Sequence, residues 1–96
     1  MDCNNYSYAP HMLDDITTIS EYRNDDMYIM HTRKDNTSII SAYSYDGRLD
    51  TYDEFTSPTI AAELYAHIIL NYSTTASDNR KLNAYIRRLH RQDRRA

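Results

Sequence analysis

The sequence predicts an α+β fold in which a three-stranded antiparallel meander is packed by helices, in the order α-β-β-β-α-α. Apolar residues recur at helical spacing on both sides of a middle region, residues 27–52, that is rich in Ile, Tyr, Thr and Ser. Two turn-forming dipeptides, Asp35-Asn36 and Asp46-Gly47, divide this middle region into three strands. A chain of 96 residues has the size of one small domain.

The first part of the chain predicts an extended arm over residues 1–10, which carry no periodic pattern, and then a helix. Asp14 and Asp15 would lie in the first turn of that helix, where acidic side chains favour the helix dipole. We expect the helix to run from His11 to Tyr22 and to end at the turn that begins with Asn24. Its helically spaced apolar residues are Met12, Leu13, Ile16 and Ile19.

The register of the strands follows from the two turn dipeptides if each loop has two residues. Ile29 then pairs with Ala42 across the first turn. Across the second turn, Ala42 pairs with Thr51 and Tyr45 pairs with Arg48. The face suited to packing helices collects Met27, Ile29, His31, Ile40, Ala42, Ser44, Leu49 and Thr51. The opposite face is rich in tyrosine and collects Tyr28, Met30, Ile39, Tyr43, Tyr45, Arg48, Asp50 and Tyr52.

Two helices are predicted after the sheet. Ser57 and Pro58 are typical of a helix start, because a hydroxyl caps the helix and Pro is favoured in its first turn. We expect this helix to end at Tyr72 and to be the most buried one, since its polar stripe is narrow and holds only Glu63, His67 and Asn71. The predicted organisation is an arm (1–10), an α-β-β-β-α domain (11–72), and a linker with a basic amphipathic helix (73–96). The apolar side of this last helix holds Leu82, Tyr85, Ile86 and Leu89.

Composition disfavours several classes of protein. Cys3 is the single cysteine, so no disulfide framework is expected. The longest apolar run, residues 68–70, is far shorter than the roughly 20 residues that span a bilayer. Together with an N-terminus that does not resemble a signal peptide, this favours a cytoplasmic protein without a membrane partner.

No catalytic or cofactor motif is found, so we expect a protein that is not an enzyme and needs no cofactor or metal. Glu63 and His67 lie one helical turn apart, but a zinc-protease helix carries two histidines at that spacing. A solvated stripe or an internal hydrogen-bonded pair accounts for these two residues. A single glycine, Gly47, is too few for a phosphate-binding loop.

Charge is distributed unevenly along the chain. Residues 1–79 hold 13 acids and 4 bases, a net of −9, whereas residues 80–96 hold 1 acid and 7 bases, a net of +6. On a helical wheel the bases fall within a sector of about 140°, opposite the apolar side. They are Arg80, Lys81, Arg87, Arg88, Arg91, Arg94 and Arg95. We expect this stripe to bind an anionic partner.

The basic stripe has other interpretations. The basic end could fold back on the acids of the body, such as Asp50, Asp53 and Glu54, or form an ordinary solvated face. A membrane surface is a weaker alternative, because the apolar side of the helix lacks Trp and Phe.

A second candidate surface is the tyrosine-rich face of the sheet, because Tyr and Arg are enriched at binding hot spots. The predicted partner-binding residues are Tyr28, Tyr43, Tyr45, Arg48 and Tyr52. The alternative is that this face lies beneath the helices. A homodimer is also left open, because so small a chain buries limited apolar area by itself.

The predicted order α-β-β-β-α over residues 11–72, with the string from Ser57 to Leu64, resembles the double-stranded RNA-binding domain. That family carries lysines at the start of its last helix to hold phosphates, whereas Pro58, Thr59 and Ile60 occupy this turn here. The resemblance therefore implies a shared architecture without the shared activity.

The small size, the acidic body, a small sheet packed by helices and the lack of a catalytic signature also resemble bacteriophage and mobile-element accessory proteins, such as the anti-CRISPR inhibitors. This resemblance implies a protein-binding inhibitor or modulator of a larger complex, for instance one that handles nucleic acid in host defence. The alternative is a small nucleic-acid-binding protein that acts through the arginine-rich helix.

Overall fold

The computed structural model describes residues 16–72 and 76–95. Four strands precede two helices: β1 (Ile16–Arg23), β2 (Met27–Lys34), β3 (Thr37–Ser44), β4 (Leu49–Phe55), α1 (Pro58–Asn71) and α2 (Ala76–Arg95). The strands form one antiparallel sheet in chain order. The α+β class and the antiparallel meander are confirmed, whereas the expected number of strands and the order α-β-β-β-α-α are wrong. The predicted arm and residues 11–15 lie outside the described residues.

The segment from Ile16 to Arg23 is a strand and not the end of a helix. Ile16, Thr17, Thr18 and Ile19 are all β-branched, which favours extended backbone, and the segment pairs with β2 along its whole length. Ile16 and Ile19 are about half exposed, so their helical spacing does not mark a buried face. The extra strand also removes the topological resemblance to the double-stranded RNA-binding domain.

The turn between β1 and β2 is organised by Asn24. Its side-chain oxygen accepts hydrogen bonds from the backbone N–H groups of Asp26 and Met27, at 2.8 and 2.9 Å. The next turn has the two residues expected, and Asp35 adopts a φ of 55°, which a short polar side chain tolerates. β2 and β3 pair in the predicted register, with Ile29 opposite Ala42.

The second predicted hairpin has a three-residue loop in place of a two-residue one. The Gly47 N–H donates to the Ser44 carbonyl, the Ser44 N–H donates to the Arg48 carbonyl, and Gly47 has a φ of 89°. Arg48 is therefore opposite Ser44 and does not pair with Tyr45. A bulge at Asp50 then restores the register, so that Ala42 is opposite Thr51 as predicted.

This irregularity changes the expected faces of the sheet. Leu49 is opposite Tyr43 and shares its face, whereas Arg48 and Asp50 line a cleft on the helical side. The assignment of Leu49 to the aliphatic face, and of Arg48 and Asp50 to the tyrosine face, is therefore wrong. The extra loop residue reverses the faces of Arg48, Leu49 and Asp50, and the bulge at Asp50 restores the predicted alternation from Thr51 onward.

Both helices pack on the aliphatic face of the sheet and share one core with it. α1 begins at the expected residue, with the Ser57 hydroxyl accepting from the Ile60 N–H at 3.2 Å. The core consists of Met27, Ile29, Ile40, Ala42, Phe55, Ile60, Ala61, Leu64, Ile68, Ile86 and Leu89. Leu82 and Tyr85 pack at its margin, as the amphipathic pattern of the last helix predicts. Neither described helix is long and apolar enough to cross a membrane.

Polar contacts also attach α2 to the rest of the fold. The His90 ring stacks on Phe55 of β4 with 4.4 Å between ring centroids, and its Nε2 lies 3.0 Å from Oδ1 of Asp53. The Asp93 carboxylate accepts hydrogen bonds from the backbone N–H groups of Thr56 and Ser57, and from the Thr56 hydroxyl. The orientation of α2 is therefore fixed by both apolar and polar contacts.

Candidate functional site

The face of the sheet opposite the two helices carries no other described element. Along β2 and β3 its large side chains are half-buried, because they lie against one another on the flat surface of the sheet. The rings of Tyr28 and Tyr43 stack across these two strands, with centroids 6.3 Å apart. We call this surface the open face, and its large members are Tyr28, Met30, Ile39, Tyr43, Leu49 and Tyr52.

Tyr28 is positioned by two residues of β1. Its hydroxyl donates a 2.7 Å hydrogen bond to the Glu21 carboxylate, and the Arg23 guanidinium lies over its ring, 4.9 Å from the centroid. The hydrogen bond to Glu21, together with partial burial, raises the pKa of Tyr28. The phenol therefore remains a hydrogen-bond donor at neutral pH. Neither Glu21 nor Arg23 is among the predicted site residues, because the predicted helix from His11 to Tyr22 contains Glu21 and ends directly before Arg23.

Tyr52 lies across the sheet, on β4, and is about half exposed. Its hydroxyl donates to the Glu54 carboxylate at 2.8 Å. This hydrogen bond is the main reason why the pKa of Tyr52 is raised. Tyr28 and Tyr52 thus each have the hydroxyl bound to a carboxylate of the sheet, and the Tyr52 ring is the more exposed of the two.

A shallow recess of about 520 Å³ lies where the open face meets the loop after β3. Tyr28, Tyr43 and Tyr45 all line it. Tyr45 belongs to the loop and is 83% exposed. The structure therefore brings three of the four predicted tyrosines together around one recess, with Tyr52 farther across the sheet.

Arg48, the remaining residue predicted for this surface, lies elsewhere. It forms an ion pair with Asp50 at 3.5 Å, and Asp50 also accepts a hydrogen bond from the Tyr72 hydroxyl at 3.3 Å. These three residues line a polar cleft of about 540 Å³ between β4, the end of α1 and the start of α2, which His67 and Lys81 also line. Arg48 is thus not available to the open face.

The seven bases predicted to bind an anionic partner are all exposed on α2. The Arg88 guanidinium lies 5.0 Å from the centroid of the Tyr85 ring, and Tyr85 in turn stacks on His67 of α1 at 4.2 Å. The ion pairs found in residues 16–72 and 76–95 join Arg48 to Asp50 and His90 to Asp53. No base of the stripe takes part in either pair.

The other candidate groups have structural contacts. The predicted polar stripe of α1 faces α2 in part, since His67 stacks on Tyr85 while Glu63 is exposed. His31 is buried on the helical face of the sheet, and burial, with the nearby Arg33 charge, lowers its pKa. Across the two described stretches, no group of three or more His, Cys, Asp or Glu side chains is arranged to hold a metal ion.

Asp93 and His90 are the residues of the helical layer that sequence analysis missed. In the sequence Asp93 is the single acid among the bases of the last helix, and on a helical wheel it lies on the apolar, packing side. An acidic side chain on the packing side of a basic helix indicates a contact with a hydrogen-bond donor or a cation of another element, because a buried charge needs a partner. The contacted groups, the backbone N–H groups of Thr56 and Ser57, could not be inferred from local pattern because they are 37 and 36 residues away.

Comparisons of the whole chain with protein-family models, with curated proteins and with solved structures find no match. The open face and the basic stripe of α2 are the two surfaces of the described residues that bear on function.

Proposed function

We propose that the chain is a non-enzymatic binding protein that docks on a protein partner through the open face and thereby modulates or inhibits a larger complex. The observation that carries this proposal is the tyrosine-bearing sheet face that no described helix covers. Tyr43 and Tyr52 offer large rings at low entropic cost, and such rings dominate the energy of protein interfaces.

The chemistry of the open face supports a protein as the occupant. Met30 and Ile39 lie beside the stacked rings of Tyr28 and Tyr43, and charged or polar ends occur at the margin, where Glu21 and Arg23 contact Tyr28. An apolar and aromatic centre with a polar rim is the usual composition of a protein interface.

The most specific form of the proposal is an anti-defence inhibitor of the anti-CRISPR type, as a small accessory protein of a bacteriophage or mobile element. Such a protein acts by occupying a surface of its target and needs no reaction of its own. We place it in the cytoplasm, a setting that the single cysteine supports, because stable folds there do not depend on disulfides.

Affinity capture with matched variants tests the proposal. The double variant Tyr43→Thr, Tyr52→Thr removes both rings and introduces threonine, a β-branched residue that suits a strand. The control is Leu70→Thr, which removes a large apolar side chain that is 79% exposed on α1. The three immobilised proteins are incubated with nuclease-treated bacterial extract, and captured proteins are quantified by mass spectrometry.

The expected result is a stoichiometric partner that the unmodified chain and Leu70→Thr retain and that the double variant loses at least about tenfold, the effect of removing one or two hot-spot rings. The melting temperature of the double variant is measured in parallel, so that loss of binding is scored only for folded protein. Equal capture by all three proteins would overturn the proposal. A dimer in sedimentation equilibrium that only the double variant loses would assign the open face to a second copy instead.

A further inference from the structure

The exposed side of α2 is the most strongly charged surface in the described part of the chain. Between Arg80 and Arg95, the exposed sector of about 140° contains seven bases and Ala84. At 1.5 Å per residue the stripe is about 22 Å long. Its residues are Arg80, Lys81, Arg87, Arg88, Arg91, Arg94 and Arg95.

The stripe is not neutralised by the acids that the sequence suggested. Asp53 contacts His90, and the Glu54 carboxylate accepts from the Tyr52 hydroxyl on the open face. Asp50 pairs with Arg48 in the cleft. Asp93, the single acid among these bases, lies on the packing side of α2 and is bound to the start of α1. None of these contacts involves a base of the stripe, and all seven bases are exposed.

The stripe is also presented on a fixed support. Ile86 and Leu89 are buried in the shared core, and His90 stacks on Phe55. The backbone of an anchored helix does not have to be ordered when its row of cations meets a row of anions, so the entropic cost of binding is limited to the side chains.

The composition of the sector favours phosphates over an acidic protein surface. A stable protein interface needs a desolvated apolar or aromatic centre, and the sector holds only Ala84 among its bases. Phosphate contacts have no such requirement and are made chiefly by Arg and Lys. The nearest ring, Tyr85, is half-buried, stacks on His67 and has the Arg88 guanidinium over it, so it offers little free surface for stacking with a base. This disfavours single strands, which proteins hold by stacking on aromatic side chains.

We propose that the basic stripe of α2 binds the phosphate backbone of double-stranded DNA without sequence preference. The major groove of B-form DNA accommodates an α-helix, whereas that of A-form RNA is too narrow. Seven of the eleven Lys and Arg residues of the chain lie on this helix, so α2 makes most of the contact. This surface is on the opposite layer from the open face, and the inference is independent of the protein-docking function.

Fluorescence anisotropy with a labelled DNA duplex of about 20 base pairs, two helical turns, tests the inference over a series of salt concentrations. The test variant is Arg87→Gln, Arg91→Gln, at the centre of the stripe. The control is Arg33→Gln, Lys34→Gln, which removes the same charge from β2. Circular dichroism verifies that both variants keep the helix content of the unmodified chain.

The unmodified chain is expected to bind the duplex with a Kd of about 10⁻⁶ to 10⁻⁴ M near physiological salt. The test variant should weaken binding at least about tenfold and reduce the slope of log K against log salt by about 1.8, which is about 0.9 for each lost phosphate contact. The control should keep the slope.

Three results would overturn the inference. The first is no binding to the duplex at about 50 mM salt, where phosphate contacts are strong, and the second is an equal loss of affinity in the test variant and the control. The third is equal or tighter binding to single-stranded DNA, to duplex RNA or to a poly-glutamate peptide, which would assign the stripe to that class of polyanion. The Tyr43→Thr, Tyr52→Thr variant should bind DNA as the unmodified chain does, which separates failure of this inference from failure of the protein-docking proposal.

Discussion

The Asp93 carboxylate, near the end of α2, accepts a hydrogen bond from the backbone N–H of Ser57, the residue that caps α1, with 2.8 Å between the two atoms. The same carboxylate accepts from the N–H of Thr56 at 2.9 Å. These donors precede the first turn of α1, where the helix itself provides no acceptor. One side chain of the second helix thus stabilises the start of the first.

Replacing Asp93 should therefore destabilise the whole fold. Asp93→Ala removes three hydrogen bonds, two of them from backbone donors, and we expect the free energy of unfolding to fall by about 1–3 kcal/mol. Urea denaturation followed by circular dichroism measures the change. Gln92→Ala, at an exposed neighbouring position, is the control and should change stability by less than about 0.5 kcal/mol. Equal effects of the two substitutions would show that the Asp93 contacts contribute nothing to the free energy of unfolding.

Asp93 also predicts a loss of stability in acid. Burial raises its pKa, but the hydrogen bonds from Thr56 and Ser57 outweigh burial, so the net pKa is lowered. A carboxyl whose pKa is lower in the folded state stabilises the fold above its unfolded value, near 3.9, and loses this contribution as pH falls through the folded pKa. Between pH 5 and pH 2 the unmodified chain should therefore lose more stability than Asp93→Ala. Parallel plots of the free energy of unfolding against pH for the two proteins, measured by urea denaturation, would contradict this.

His31 predicts a pH dependence at less acidic values. It is buried, its Nε2 has no hydrogen-bond partner among the described residues, and burial and the Arg33 charge lower its pKa. The unfolded chain then binds the proton more readily than the folded chain. The contribution of His31 to the free energy of unfolding is therefore fully present above about pH 6.5 and declines below it, by up to about 1.4 kcal/mol per pH unit. His31→Leu should flatten the urea-unfolding profile between pH 6.5 and 5. The same slope in both proteins would mean that His31 does not titrate on unfolding.

Leu89 should be as important to stability as residues of the sheet, because it is 1% exposed in the shared core. Leu89→Ala is expected to cost about 2–5 kcal/mol, the usual range for a buried leucine. Leu70→Ala, the same substitution at an exposed position of α1, should cost less than about 0.5 kcal/mol. If α2 were an independent appendage, Leu89→Ala would melt the helix and leave the near-ultraviolet signal of the sheet tyrosines unchanged.

Gly47 should be needed for its backbone conformation and not for space. Its φ is 89°, and a Cβ added there would meet no atom within 4 Å. We expect Gly47→Ala to lower the unfolding free energy by about 1–2 kcal/mol, because side chains disfavour this region, and Gly47→Asn to cost less, because Asn tolerates it better. Thermal unfolding of the two variants gives the comparison. Equal melting temperatures for Gly47→Ala and the unmodified chain would exclude a conformational role.

The features predicted correctly are those that depend on residues close together in the sequence. The Ser57-Pro58 start of α1 is confirmed, and so is the register between β2 and β3, because a two-residue turn and alternating faces determine them. The apolar side of α2 is confirmed as well, since Ile86 and Leu89 are buried. Each of these features depends on residues that are close in sequence.

The errors concern contacts that local pattern does not encode. Apolar residues at positions 16 and 19 fit a helix by spacing, but hydrogen bonds to β2 make that segment a strand. At the second turn, one extra loop residue and the bulge at Asp50 moved Arg48 away from the tyrosines. The roles of the tyrosines and of the basic stripe remain predictions, because binding depends on a partner and not on the fold of this chain.

The bulges at Ile19 and Asp50 give each edge strand one residue of spare length. If Asp50 is deleted, Leu49 and Thr51 become consecutive and Phe55 stays opposite Ser38, so the core side of β4 is conserved. The two central strands have no such residue, and a deletion there moves every side chain beyond it to the other face. The edges of this sheet can therefore evolve by insertion and deletion, whereas its centre can change only by substitution.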